Sequence, residues 1–221
     1  MTTTCRPYVP GDREAVRHIC NETGHLGDPI DPYFSDREVF ADLHSFYYTD
    51  VASDSSFVIE DDGEVIGYLL GCLDSVRYRA WVKSDLEARI LKRAFARGVF
   101  LRPGTAPLVW RFVVDWLREK PHFGDAGDEY PAHLHINLLP RGRKRGLGGL
   151  LIKNYFELLR ANGLSGVFLE TTAENTNAVG FFKSQGFVED EKSLAPGVRA
   201  ADGSRLHGLR MIQKLPSTQG V

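Results

Sequence analysis

The chain has 221 residues, of which 43% are hydrophobic and 25% are charged, the composition of an ordinary soluble globular protein. A balance of 27 Lys and Arg against 29 Asp and Glu gives a formal charge of -2, which argues against a protein that coats nucleic acid. The longest apolar runs, such as 65–73, are shorter than the ~20 residues that a membrane helix needs.

The first third of the chain predicts alternating strands and helices. In chain order we expect a strand at 4–9, a helix at 12–23 capped by Asp12, a loop at 24–35 rich in Gly, Pro and Asp, a second helix capped by Ser35, and a hairpin with strands at 56–60 and 64–70. The Asp61-Asp62-Gly63 sequence between the last two strands is typical of a tight turn.

The segment 75–130 has a different pattern. Its apolar residues show helical spacing over 81–100 and again over 106–119, and a charged loop follows at 120–129. The segment begins and ends at predicted strands. We therefore interpret it as a helical insertion in one domain, and not as a second domain.

Strands and helices alternate again after residue 131. We expect a strand at 132–138, a helix at 147–161, a strand at 167–171, a short helix at 175–185, a strand that begins at Phe187 and a last strand at 206–215. Together with the hairpin, this order predicts a mixed α/β sheet. We expect residues 1–216 to form a single domain and 217–221 to form a flexible tail.

The turn at 140–149 carries the clearest chemical signal. It joins a predicted strand to a predicted helix, and free N–H groups at a helix start bind anions. Glycines at 146 and 148 let a phosphate approach without Cβ obstruction, and positive charge comes from Arg141, Arg143, Lys144 and Arg145. The glycine spacing differs from that of the dinucleotide-binding fingerprint, and the turn lacks the Lys-Ser/Thr pair of a P-loop. The pattern predicts a pyrophosphate site.

Two other interpretations of this turn are a solvated basic loop and a nucleic-acid patch. Neither explains the glycines at the helix start. The rest of the chain adds no basic stripe, so we favour the phosphate site.

Two motifs in this region resemble those of the GNAT superfamily of N-acetyltransferases. The acetyl-CoA-binding segment of that family reads Arg/Gln-x-x-Gly-x-Gly/Ala, and this chain has Arg-Lys-Arg-Gly-Leu-Gly at 143–148. The second motif, Asn-x-x-Ala-x-x-x-Tyr-x-x-x-Gly-Phe, is similar to 175–187, with Phe182 in place of the Tyr. The resemblance is clear over 132–190. The run 131–140 also looks like the acetyltransferase-like domain of eukaryotic O-GlcNAcases.

The resemblance implies a GNAT fold, which is a mixed, mostly antiparallel central sheet flanked by helices, here with the insertion 75–130 between the third and fourth strands. It implies acetyl-CoA as the cosubstrate and no metal. The residues that it assigns to the cofactor are Leu138, Leu139, Arg143, Lys144, Arg145, Gly146, Leu147, Gly148, Gly149, Asn175, Asn177 and Phe182. In this assignment the backbone of Leu138 pairs with the pantetheine arm, and N–H groups of 143–149 hold the pyrophosphate.

Acetyl transfer to an amine needs a proton acceptor, because an amine of pKa ~10 must lose a proton before it attacks. By strand alternation, His133, His135 and Asn137 share one face, and either histidine is a candidate base. A hydrogen-bonded structural role is an equally good interpretation, and a two-histidine metal site has no evident third ligand. Glu170, on the next strand, could face the same cleft, although we favour a structural role.

Phe182 departs from the family pattern at a chemically important position. A Tyr there often protonates the leaving thiolate, which Phe182 cannot do. We expect slower transfer and not its loss, since a thiolate of pKa ~8.5 is a tolerable leaving group. The resemblance also gives acceptor contacts to the loop 24–35, which holds Asp28, Asp31 and Tyr33, although solvation is the favoured role of the two aspartates.

These observations predict an acetyl-CoA-dependent N-acetyltransferase, an acyltransferase that acts on an amine of a small molecule or peptide. The alternative is a non-catalytic acetyltransferase-like module that binds CoA or a protein partner. Residues 1–6 lack a secretory signal, and three cysteines without CxxC spacing predict reduced thiols. We therefore expect a cytoplasmic protein with no nucleic-acid or membrane partner. The acceptor and the oligomeric state stay open.

Overall fold

A computed structural model of the chain describes residues 2–31, 33–102, 105–118, 126–200 and 202–215. Its strands are β1 (Thr3–Pro7), β2 (Phe57–Asp61), β3 (Glu64–Cys72), β4 (Ala132–Leu138), β5 (Gly166–Thr172), β6 (Val188–Arg199) and β7 (Arg205–Lys214). Its α-helices are α1 (Arg13–Thr23), α2 (Arg37–Phe46), α3 (Ser75–Trp81), α4 (Glu87–Ala96), α5 (Thr105–Arg118), α6 (Leu147–Ala161) and α7 (Thr176–Ser184). The predicted tail at 217–221 lies outside the described residues.

The described strands form one sheet in the order β1-β2-β3-β4-β5-β7-β6. Neighbouring strands are antiparallel except β4 and β5, which are parallel. Helices α3, α4 and α5 all lie between β3 and β4 in the chain. The predicted fold, a mostly antiparallel α/β sheet with a helical insertion between the third and fourth strands, is therefore confirmed.

Two apolar cores fill the two faces of the sheet. On one face the stripe of α6 that holds Leu151, Tyr155 and Leu159 is buried against the sheet, as its three- and four-residue spacing predicts. On the other face α1 buries Val16 and Ile19 in a second core. Both faces of the central strands are therefore covered by helices.

The predicted helix caps are wrong at the starts of α1 and α2. Asp36, not Ser35, caps α2, because its extended backbone lets its carboxylate accept from the N–H groups of Glu38 and Val39, both at 3.0 Å. Asp12 makes no cap. Its carboxylate instead accepts from the Val9 N–H at 2.9 Å and pairs with an arginine of β1.

Buried ion pairs attach the insertion to α2. Asp36 is paired with Arg97 at 2.8 Å and with Arg102 at 2.7 Å, and Asp42 is paired with Arg93 at 2.7 Å. Both carboxylates have no solvent exposure in their side chains. Since breaking a buried ion pair leaves an uncompensated charge, these contacts hold α4 and the turn after it firmly against α2.

Candidate active site

A gap opens in the sheet where β4 and β5 diverge. The two strands pair only at Ala132 with Val167 and at His133 with Phe168, although β4 continues to Leu138. The Leu139 N–H donates to Ile66 of β3 at 2.9 Å, so by alternation Leu138 directs its backbone groups away from β3 and into the gap. The unpaired edge of β4 can therefore accept an extended ligand as an added strand.

The cradle predicted at 140–149 lies at the end of this edge. A short turn, Pro140–Gly142, leads into α6, with Lys144 and Gly146 in the left-handed region at φ 59° and 78°. The first helical bond runs from the Leu150 N–H to the Gly146 carbonyl at 3.1 Å, so the N–H groups of 147–149 precede it and have no helical partner. The start of α6 is thus suited to bind an anion.

The basic side chains of this turn contribute less free charge than the sequence predicts. Arg145 pairs with Asp61 of the hairpin at 2.8 Å, and Arg141 pairs with Glu64. Lys144 is exposed and, among the described residues, has no ionic partner. Much of the positive potential is therefore neutralised by acids that lie far away in the sequence.

The Arg143 side chain links two segments by hydrogen bonds and does not extend freely toward a phosphate. Its Nε donates to the Leu138 carbonyl at 3.0 Å, and its other end donates to the Gly27 carbonyl in the loop between α1 and α2. Arg143 thus fastens the end of β4 to that loop. The Leu138 carbonyl accepts this one bond, and the Leu138 N–H, directed into the gap, can pair with a ligand.

A cavity of about 450 Å³ is lined by residues of both diverging strands. Its other walls include residues of α1, of α2 and the loop between them, of α3 and of α7. Glu170 of β5, exposed in the structure, is the one carboxylate among the described lining residues. A ligand held along the gap would therefore have its end beside a polar, partly aromatic pocket.

His133 is buried and fully hydrogen-bonded. Its Nε2 is 2.8 Å from the Tyr48 hydroxyl and its Nδ1 is 2.7 Å from the Ser75 hydroxyl. Burial lowers the pKa of His133 to about 3. It could accept a substrate proton only by giving up one of these bonds, so the geometry does not support the predicted catalytic role and instead supports the structural interpretation.

His135 and Asn137 face the cavity in one short hydrogen-bonded chain. Asn137 Nδ2 donates to the Tyr68 hydroxyl at 2.9 Å and lies 3.1 Å from His135 Nε2. Burial lowers the pKa of His135 to about 4. A neutral ring at this position can orient a polar group, although it is a weak base.

His44 of α2 is a cavity residue that the sequence did not single out. Its ring centroid is 6.0 Å from that of His135, and burial lowers its pKa to about 3. Only the packing of α2 across the sheet brings these two rings together, because 91 residues of chain separate them and no local motif marks His44.

The second motif supplies packing around the cavity. The Phe182 ring is only 6% exposed and belongs to the core beside α6. Asn175 accepts from the Ala178 N–H at 3.2 Å and caps α7, while Asn177 is exposed. Asn175 and Phe182 line the cavity, and Phe182 presents no proton to it.

Two further observations on the described residues concern membranes and metals. In this part of the chain no helix is long and apolar enough to cross a membrane. Nor, within it, do three His, Cys, Asp or Glu side chains gather where they could hold a metal ion. The three cysteines are free, and two of them are buried.

The fold and the site define an α/β protein suited to hold an extended, anionic ligand between two diverging strands. The acetyltransferase (GNAT) family matches residues 25–187, well over half of the chain. The chain therefore belongs to the GNAT acetyltransferase family, as its two motifs predicted. The closer similarity to the O-GlcNAcase domain stays a prediction.

Similar proteins agree with this assignment. A mycothiol acetyltransferase from Nocardia farcinica is 29% identical over 126 residues, which cover 55% of this chain and 39% of that protein, so the chain spans well under two thirds of that relative. The crystal structure of SsHAT is 27% identical, with a TM-score of 0.69 and coverage of 97% of this chain and 98% of that one. A phosphinothricin acetyltransferase from Sinorhizobium meliloti, solved with AcCoA, shares the fold, with a TM-score of 0.59, 16% identity and coverage of 100% and 93%.

Proposed function

We propose that this protein transfers acetyl from acetyl-CoA to the nitrogen of a primary amine. The observation that carries the proposal is the gap between β4 and β5, which ends at the anion-binding start of α6. A long ligand with an extended arm and a pyrophosphate matches this succession of an unpaired strand edge and free N–H groups. The family membership of the chain supports the same ligand.

The residues that would hold acetyl-CoA fall into three groups. The N–H of Leu138 and the neighbouring backbone of β4, up to Leu139, would bind the pantetheine arm, and the N–H groups of 144–149 would bind the pyrophosphate. Lys144 would add an exposed positive charge that has no acidic partner among the described residues. Asn175 and Phe182 would border the arm from α7, and the exposed Asn177 would lie farther out.

Bound acetyl-CoA would supply an acetyl group activated as a thioester. The protein must then strip one proton from an ammonium, which in water has a pKa of ~10. Glu170, at the cavity edge, would draw the ammonium in and pass its proton to solvent. His135 and Asn137 would orient the amine. In the balanced reaction the ammonium nitrogen loses two protons and gains the acetyl group as the thioester C–S bond breaks. The first proton goes to solvent through Glu170, and the second goes to the departing CoA sulfur or to solvent.

A second function, a module that binds CoA without turnover, is favoured by one observation. Phe182 fills the position of the usual proton donor with a buried phenyl ring. Binding and turnover therefore need separate measurements.

Release of free thiol from acetyl-CoA, measured against a panel of alkylamines, amino acids and peptides, tests the enzyme. We expect release that depends on the amine and that falls at least about tenfold in Glu170→Gln. Glu157→Gln, at an exposed carboxylate of α6 that does not line the cavity, is the matched control. If acetyl-CoA binds but no amine is acetylated, the binding module is the correct function and the enzyme proposal is wrong.

A further inference from the structure

A second cavity, of about 340 Å³, adjoins the first. Phe40, His44 and Thr172 line both cavities, so the two lie side by side. None of the described residues that line the second cavity belongs to β4 or to α6. It therefore lies on the side of the site away from the proposed acetyl-CoA cradle.

The walls of the second cavity are largely apolar. The loop between α1 and α2 contributes Leu26, Ile30 and Phe34, the insertion contributes Leu108 from α5, and β7 contributes Leu206. Thr105 fixes the start of α5 to the loop, because its hydroxyl lies 3.2 Å from that of Ser35. The apolar body of a ligand could lie between these walls.

Positive charge collects at this cavity. Arg111 lines it and donates only to the Pro107 carbonyl of its own helix, at 3.1 Å, with no acidic partner among the described residues. Arg199 also lines it, 2.7 Å from Asp115, which is fully buried and lies 3.6 Å from Arg205 as well. Asp115 is thus shared between two arginines, and Arg111 is a lining residue whose charge has no acidic partner in the described part of the chain.

The two cavities differ in the sign of the charge they present. The first has Glu170 at its edge and neutral histidines, while the described lining of the second includes no Asp or Glu. An acceptor with a cationic end and an anionic end would therefore enter in one orientation only, with the amine toward the acetyl group.

We propose that the second cavity is an acceptor subsite that binds an anionic group, carried by an apolar body, on Arg111. The acceptor class is thus an amine with a carboxylate or similar anion at some distance from its nitrogen. This inference rests on the proposed function, since it names the acceptor of that reaction. It also assigns a role to α5, the last helix of the insertion.

Binding to the CoA-bound protein tests the subsite without needing turnover. The probes are ω-aminoalkanoates of about 4 to about 10 carbons, a range suited to cavities of this size, each compared with the alkylamine of equal length. At the best chain length, calorimetry should give a Kd for the aminoalkanoate about 5- to 50-fold lower than the Kd for the alkylamine. The carboxylate can form a charge-assisted pair, which the apolar end of the alkylamine cannot form.

Two variants that each remove one positive charge test whether Arg111 causes the preference for the carboxylate. Arg111→Gln should reduce the preference for the carboxylate to about twofold or less, while Lys153→Gln, at an exposed lysine of α6 outside both cavities, should retain it. Equal Kd values for carboxylates and alkylamines, or a preference that survives in Arg111→Gln, would overturn the subsite. Thiol release is scored separately across the whole panel of amines, so its failure with every amine would refute the proposed reaction and leave the binding result to decide the subsite.

Discussion

Mild acid should destabilise this protein, because the folded state keeps its buried histidines neutral. His133, which is 7% exposed, has a pKa lowered to about 3 by burial, and the pKa of His135 and of His44 is lowered for the same reason. In the unfolded chain each would have an ordinary pKa of ~6.5. Below that value the unfolded state binds protons that the folded state does not bind, so stability falls as the pH falls.

The size of the effect follows from the two pKa values of His133. Going from about pH 7 to about pH 5, linkage gives a loss of about 2 kcal/mol in the free energy of unfolding from this residue alone. His44 and His135 are only partly buried and open onto the cavity, so each adds a smaller loss. The buried acids Asp36 and Asp115 have lowered pKa values, so the stability that they contribute is lost only below this pH range.

Urea unfolding at both pH values measures the loss directly. In His133→Gln the loss between the two pH values should be smaller than in the wild type by about 2 kcal/mol, even though the variant gives up hydrogen bonds and is less stable overall. His18→Gln, at an exposed histidine, controls for the removal of a histidine as such. Equal losses in wild type and His133→Gln would show that the neutral, buried His133 ring is not the cause of the pH dependence.

Three further variants test individual contacts. Arg143→Ala removes the hydrogen bond to the Gly27 carbonyl. The KM for the amine should therefore rise at least about fivefold, while the Kd of acetyl-CoA should change less than about threefold. Equal changes in the two constants would contradict this positioning role. Asp42→Asn should lower the urea-measured free energy of unfolding by about 3–5 kcal/mol, because it leaves the buried Arg17 with a weakened partner, and a loss below about 1 kcal/mol would count against it. Phe182→Tyr should raise kcat about tenfold or more by supplying a proton donor, and an unchanged kcat would show that thiolate departure does not limit the rate.

Local sequence signals were enough to predict most of the fold, while the binding of a cofactor at the cradle stays a prediction. The helix at 147–161 begins and ends where its apolar spacing and its Gly and Asn signals predicted. The hairpin around Asp62-Gly63 and the strand alternation of His135 and Asn137 were also correct. These features depend on residues a few positions apart, so a single sequence contains them.

The contacts that decide the chemistry are long-range and left no local signal. The pairing of Arg145 with Asp61 joins residues 84 positions apart, and it converts an apparently free charge into a structural bond. His44 meets His135 only because α2 packs across the sheet. His133 and His135 are equivalent in sequence, and only the positions of Tyr48 and Ser75 show that the former is hydrogen-bonded on both sides.

Calorimetric titration of acetyl-CoA tests the central claim, that the start of α6 and the edge of β4 form its binding site. A Cβ on Gly148 would lie 2.8 Å from Phe181, so Gly148→Glu adds both crowding and a negative charge, while Gly180→Glu, where a Cβ meets open space, is the matched control. Lys144→Glu reverses an exposed charge without crowding the core.

We expect the wild type and Gly180→Glu to bind acetyl-CoA, and the Kd to be at least about tenfold higher in Gly148→Glu and in Lys144→Glu. Circular dichroism shows which variants are folded. No binding by the wild type, or equal Kd values in folded Lys144→Glu and wild type, would contradict the central claim.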